Sequence, residues 1–147
     1  MRISMRGEYG VRAMLDLALH HQEGPIALKT VAEREGISEA YLEQLIAPLR
    51  KAGLVVSVRG AGGGYQLARE PSQIRIGEII RVLEGPIAPM GCASEETHKF
   101  SCDNSQKCIA RVLWRRLRDR ITDFLDSTSL QDLLNEPFND CHDGQNQ

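Results

Sequence analysis

Apolar residues recur at steps of three and four near the start of the chain. Val11, Met14, Leu15 and Ala18, joined by Ala13, Leu17 and Leu19, predict a helix from about Glu8 to His21, buried on much of its circumference and ended by Gly24-Pro25. A second, shorter helix is predicted over LKTVAEREG (28–36). A third covers SEAYLEQLIAPLRKAG (38–53), with Ser38 as its N-cap and Gly53 closing it. Pro48 lies inside that third helix, where the missing N–H predicts a bend or a loosening. The pattern then changes to two short β-branched or aromatic runs, LVVSVRG (54–60) and YQLA (65–68), separated by AGGG, which predict a hairpin with a flexible tip. IRIGEIIRVLEG (74–85) predicts a fourth helix with Ile76, Ile79, Ile80 and Leu83 on one side.

From residue 109 the stripe Leu113, Trp114, Leu117, Ile121, Phe124 and Leu125 predicts a long amphipathic helix to about 127, its other faces carrying Arg115, Arg116, Arg118, Asp119, Arg120, Asp123 and Asp126. Ser129 is placed to cap a last short helix, SLQDLL, and the tail FNDCHDGQNQ reads as disordered. The expected fold is mainly α with a small β-hairpin wing. Residues 1–84 form a winged helix-turn-helix, 85–108 a cysteine-rich loop, 109–134 a long helix and a short terminal one, and 135–147 the tail.

Helix, short turn, helix and glycine-tipped hairpin is the order of a DNA reader. Ala32, Gly36 and Ile37-Ser38 fit its tight corner, since a small residue lets the two helices approach and glycine accepts a positive φ. The second helix of such a corner enters the major groove with its N-terminal end toward base edges. Ser38, Tyr41, Glu43 and Gln44 stand there; glutamine pairs with adenine and glutamate accepts from cytosine N4. Arg59 at the wing suits a minor groove, and Arg2, Arg50 and Lys51 suit phosphates. The competing reading is a three-helix packing unit that never touches DNA.

Composition adds limits rather than a partner. The net charge is −2 over 147 residues, so a nucleic-acid surface must come from local arrangement. The N-terminus lacks a secretory signal and no stretch approaches a membrane span, which places the chain in the cytoplasm. A reducing compartment disfavours disulfides and makes clustered cysteines metal or redox ligands.

Residues 91–108, GCASEETHKFSCDNSQKC, hold three of the four cysteines in a polar stretch with no helical or strand period. Nine residues separate Cys92 from Cys102 and five separate Cys102 from Cys108. A structural zinc site ordinarily contains a tight C-x₂₋₄-C knuckle, and there is none here. Wide spacing fits an iron–sulfur cluster, a larger body held from several directions. A zinc site completed by His98, and unligated redox-sensing thiols, are the alternatives. An enzyme built on Cys102 and His98 lacks any companion signal for a substrate pocket or an oxyanion site.

MRISMRGEYGVRAMLDLALHH, the segment Leu28–Leu67, IGEIIRVLEGPIAP, the three cysteines and VLWRRLRDRITDFLDSTSLQDLL together resemble the IscR-like iron–sulfur cluster regulators. The wider family also includes NsrR, a nitric-oxide-responsive repressor, and CymR, a cysteine-metabolism regulator without the cluster loop. The resemblance covers residues 1 to about 134. It implies a homodimer joined through the long helix, which becomes the dimerisation helix, presenting two winged helices to a pseudo-palindromic double-stranded DNA operator. It further implies a 2Fe–2S cluster, with 4Fe–4S as the alternative, held by Cys92, Cys102 and Cys108, and repression of iron–sulfur assembly genes in the loaded state. The best-known pattern has a histidine three residues after its third cysteine, where this chain has Arg111, which cannot ligate iron. The fourth ligand is then open. Relatives that use an acidic residue near the start of the first helix, supplied across the dimer, point to Glu8; His98 is the second choice, and Cys141 lies on a tail with no packing to hold it.

Overall fold

The computed structural model describes residues 2–96 and 108–136. Cys102, His98, Cys141 and the tail expected to be disordered lie outside these residues. The described chain is mostly helical with one antiparallel hairpin, as the pattern predicts. No helix among the described residues is long and apolar enough to cross a membrane.

Helix α1 runs Met5–Leu19, three residues ahead of its predicted start. Ser4 caps it through a side-chain oxygen facing the Gly7 N–H, and the carboxylate of Glu84 accepts from the N–H groups of Ser4 and Gly7, each at 3.0 Å, and from the Ser4 hydroxyl. Ser4 is a local signal that the apolar pattern passes over because no apolar period reaches it, and Glu84, 80 positions on, leaves none. The same face carries Gly10, where a Cβ would stand 1.9 Å from the Leu83 side chain.

Helix α2 (Leu28–Glu35) closes at Gly36, φ 68°, with Gly36 N–H donating to Glu33 O and Ile37 N–H to Ala32 O. That corner leads into α3 (Glu39–Lys51). As the predicted span requires, α3 continues unbroken through Pro48. Leu45, Ile46 and Leu49 beside it are almost wholly buried. Burying each contributes roughly 1.5–3 kcal/mol, which together exceeds the roughly 3 kcal/mol cost of an interior proline. Past Lys51, Gly53 N–H donates to Arg50 O and Leu54 N–H to Leu49 O, the glycine closure expected there.

Strands β1 (Val55–Val58) and β2 (Gly64–Leu67) pair with Val55 opposite Leu67 and Val58 opposite Gly64. Ile26 bridges the other edge of β2, exchanging both backbone bonds with Tyr65 at 2.8 and 2.9 Å. The approach is close enough that a Cβ on Gly64 would lie 2.2 Å from Ile26 O, so the first residue of β2 has to be glycine.

Helix α4 (Ile76–Glu84) buries Ile76, Ile79, Ile80 and Leu83. The long helix α5 (Ala110–Ser127) follows the cysteine loop, and α6 (Leu130–Asn135) starts at Ser129, whose hydroxyl and Asp132 carboxylate cap reciprocally. Ile76 N–H donates to Thr128 O, Leu130 N–H donates to Ile74 O, and Leu130 is fully buried in the same core as Met14, Leu42, Leu49 and Ile79.

Candidate nucleic-acid interface and cysteine loop

Leu42, Leu45, Ile46 and Leu49 turn one face of α3 into the core, which forces Glu43 and Gln44 outward. The Ser38 oxygen accepts from the Tyr41 N–H at 3.1 Å, so Ser38 orders the first turn. Tyr41 is half-buried, its ring meeting that of Tyr9 edge-on with centroids 6.3 Å apart. Arg50 and Lys51 are exposed in the last turn, and Arg59 is exposed beside the wing tip. Among the described residues the side chains of Arg2, Glu43, Gln44, Arg50, Lys51 and Arg59 have no hydrogen-bond or ion-pair partner. They are available to a ligand, and the arrangement is a short exposed polar edge with cations flanking it.

Cys92 sits half-buried on a single 3₁₀ turn, Gly91–Ala93, and Cys108 is exposed just ahead of α5; neither is in a disulfide. Glu8 is exposed in the first turn of α1, and its carboxylate has no partner among the described residues because Glu84 takes the helix N-terminus. Among the described residues no three of His, Cys, Asp and Glu come together at metal-binding distance, so Glu8, Cys92 and Cys108 are not gathered within one chain. The donor chemistry nonetheless suits an iron–sulfur cluster: unpaired thiols at both ends of a polar loop, and an unengaged carboxylate.

The first leg of the loop is anchored with care. Glu95 accepts from the Ile87 N–H at 2.8 Å, while Glu95 N–H returns a bond to Ile87 O. Arg81 of α4 donates to Glu95 and also to Asp126 of α5. Hydrogen bonds from Arg81 hold the Glu95 and Asp126 carboxyls below the ordinary carboxylate range, and bonding first to Asp126 and then to Glu95 pushes the guanidinium up. Arg118 of α5 reaches the Ser94 carbonyl at 3.3 Å, and the neighbouring Ala93 is fully buried.

Helix α5 has no buried residue. Ile121 and Leu125 pack against the core, whereas Ile109, Leu113, Leu117 and Phe124 are exposed. At 100° per residue those four fall within a sector of about 80°, an exposed apolar stripe interrupted by Arg120.

The family model for Rrf2, described as an iron-dependent transcriptional regulator, matches residues 3–136. The chain belongs to the Rrf2 family. It is 47% identical to the HTH-type transcriptional regulator IscR of Pectobacterium atrosepticum over 135 residues, covering 92% of this chain and 80% of that one. To the regulator CymR of Bacillus subtilis it is 50% identical over 133 residues, covering 90% and 89%. The solved structure of the B. subtilis CymR, the global cysteine regulator, superposes with a TM-score of 0.74 at 49% identity, covering 90% of this chain and 95% of that one. T. potens IscR superposes at 0.73 with 51% identity, covering 91% and 86%. This Rrf2 protein is therefore a winged-helix transcriptional regulator that binds DNA, and its named relatives are regulators rather than enzymes.

Sequence reasoning on this Rrf2 chain missed Glu84, Arg81, Glu95 and Asp126. Each looks like an ordinary helix-surface or loop charge, and its partner lies 14 to 80 positions away. The one local hint is Gly77 inside α4.

Proposed function

We propose that this Rrf2 regulator is an IscR-like homodimeric repressor of iron–sulfur assembly genes, acting in the cytoplasm. Its operator affinity is set by an iron–sulfur cluster held by Cys92, Cys102 and Cys108. The cysteine loop carries the reading: three thiols with wide spacing in a polar segment, two of them unpaired at its ends, next to a helix with an uncovered apolar face. That face, Ile109, Leu113, Leu117 and Phe124, fits a second copy, since helices of this kind pair through such stripes. In the dimer Glu8 of one chain would complete the other's ligand set. The favoured cluster is 2Fe–2S, which supplies redox sensitivity at a site whose carboxylate ligand is less covalent than a thiolate.

The chain's own residues divide the work. Residues 1–84 read a pseudo-palindromic operator: Glu43 and Gln44 contact base edges, Arg59 enters a minor groove, and Arg2, Arg50 and Lys51 neutralise phosphates. Residues 85–108 sense, 109–134 pair and brace, and 135–147 form a tail. Ligation changes DNA affinity only by as much as it stabilises one conformation over the other.

A second reading has its own support. Identity to CymR of B. subtilis matches that to IscR, and on that reading the protein regulates cysteine metabolism without a cluster, its thiols binding zinc or sensing oxidants. Anaerobic purification with iron, sulfide and zinc analysis separates the two. A coloured protein that loses its chromophore in Cys92→Ser, Cys102→Ser and Cys108→Ser, and keeps it in Cys141→Ser, supports the cluster; a colourless protein supports the CymR-like reading.

A further inference from the structure

Cys92 needs a fixed position if it is to hold a ligand, yet the loop around it has little core of its own: Ile87 and Ala93 are its buried residues among those described. Position comes instead from one guanidinium. Arg81 Nη1 and Nη2 meet the two Asp126 oxygens at 2.6 and 2.9 Å, while Nε and Nη2 meet Glu95 at distances from 2.6 to 3.2 Å. Glu95 in turn closes the stretch 87–95, which contains Cys92, through its two bonds with Ile87. A planar fork with five donors is what bridging two carboxylates on different elements requires, and lysine has no such geometry.

A second observation indicates that this clasp is built rather than incidental. Gly77 lies in the first turn of α4 with no positive φ, so the backbone does not call for glycine there. A Cβ there would stand 2.0 Å from Asp126 Oδ1, 2.9 Å from Arg81 Nη1 and 3.2 Å from Asp126 Cγ. All three nearest atoms belong to the clasp. The missing side chain is the room in which Asp126 and Arg81 meet.

We infer that Arg81 is the positioning residue of the cysteine loop, clamping Glu95 and Asp126 so that the place of Cys92 and the seating of α5 on α4 are set by the same side chain. An exposed ion pair contributes little to stability, and stability is not its use here. It makes the loop, the brace helix and the DNA-reading core move as one unit, so that gain or loss of a ligand at Cys92 is felt at α4. The positioning of Cys92 stands on the geometry alone; its consequence for the cluster rests on the function proposed above.

Full-length Arg81→Gln, Arg81→Lys and Gly77→Ala proteins test both parts. The first readout needs no cluster: maleimide labelling of Cys92 in a background where Cys102, Cys108 and Cys141 are serine. Loosening the loop should raise the labelling rate by about tenfold in Arg81→Gln and Gly77→Ala, with Arg81→Lys failing to restore it. Cluster-free DNA affinity and Tm should stay near wild type; Gly77→Ala guards against a merely misfolded variant because alanine strengthens the helix it enters. In the chain with all its cysteines, the chromophore should decay faster in air in each variant. An unchanged labelling rate in Arg81→Gln and Gly77→Ala overturns the inference; a raised rate with an unaltered chromophore lifetime upholds the positioning and overturns its consequence for the cluster. Raised labelling in a protein that never acquires a chromophore upholds the positioning and overturns the cluster reading.

Discussion

The ring of Tyr41 in the first turn of α3 meets the ring of Tyr9 on α1 edge-on, 6.3 Å between centroids and 82° between planes. Arg12 lies 5.0 Å over the same Tyr9 ring and pairs with Glu35 at 2.8 Å, so the N-terminal end of α3 is seated on α1 by an aromatic contact with a cation behind it. Tyr41 is thus both a packing residue and a neighbour of the exposed polar edge. Tyr41→Phe should keep fold and DNA affinity, because the contact uses the ring. Tyr41→Ala should lower stability by about 1–3 kcal/mol, since the half-buried ring loses its partner, and should weaken operator binding in parallel. Thermal melts and fluorescence anisotropy on the same samples check this; a loss of affinity in Tyr41→Phe would instead assign the hydroxyl to DNA.

Exposed and unengaged, Glu43 is placed to discriminate rather than to hold. Glu43→Ala should relax preference at one base pair per half-site by about 1–3 kcal/mol while non-specific binding changes little. Arg59→Ala should weaken operators with narrow A·T-rich minor grooves and lower the salt slope by about 1 if Arg59 also touches phosphate. Competition binding against a panel of single-base variants reads both, and a uniform loss from Glu43→Ala would make that residue scaffold.

Much of this was legible locally. The Ala32–Ser38 corner, the Ser38 and Ser129 caps, the Gly53 closure and the wing are all set by residues within a few positions, and the alternation that buries Leu42, Leu45, Ile46 and Leu49 exposes Glu43 and Gln44 by necessity. What escaped is long-range. The second cap on α1 depends on Glu84, the docking of Leu130 on a backbone bond to Ile74, and the seating of the loop on Arg81, none of which has a sequence period. The extent of α3 through Pro48 was legible, while the burial of Leu45, Ile46 and Leu49 that offsets the proline's cost is tertiary.

Acid should loosen the clasp. The Glu95 and Asp126 carboxyls titrate below their ordinary values when folded, so around and below pH 4.5 the unfolded chain binds more protons and stability falls as pH drops through the folded values. Their contribution is present above that range. Because the pairs are partly exposed, the effect should be at most about 1 kcal/mol. Denaturant titrations of cluster-free protein from pH 6 to pH 3 should show a shallower acid loss in Glu95→Gln than in wild type; identical slopes would remove Glu95 from the account.

Glu8 offers a test of cross-chain ligation. Glu8→Ala should shift the visible spectrum and shorten the chromophore lifetime, while His98→Ala changes neither. A mixed dimer of a Glu8→Ala chain and a Cys92→Ala chain can rebuild one complete site only if the carboxylate comes from the partner. Recovery of about half the wild-type lifetime-resolved signal is expected. No recovery would place the fourth ligand elsewhere.

The most direct measurement is operator affinity before and after cluster removal on a single anaerobic preparation, with iron and sulfide quantified in each sample. The account predicts stoichiometric iron and sulfide, and a drop in affinity of about tenfold or more on removal, with reconstitution restoring it. Affinity that is unaltered by removal, and equal to that of a protein with Cys92, Cys102 and Cys108 all replaced by serine, would contradict it.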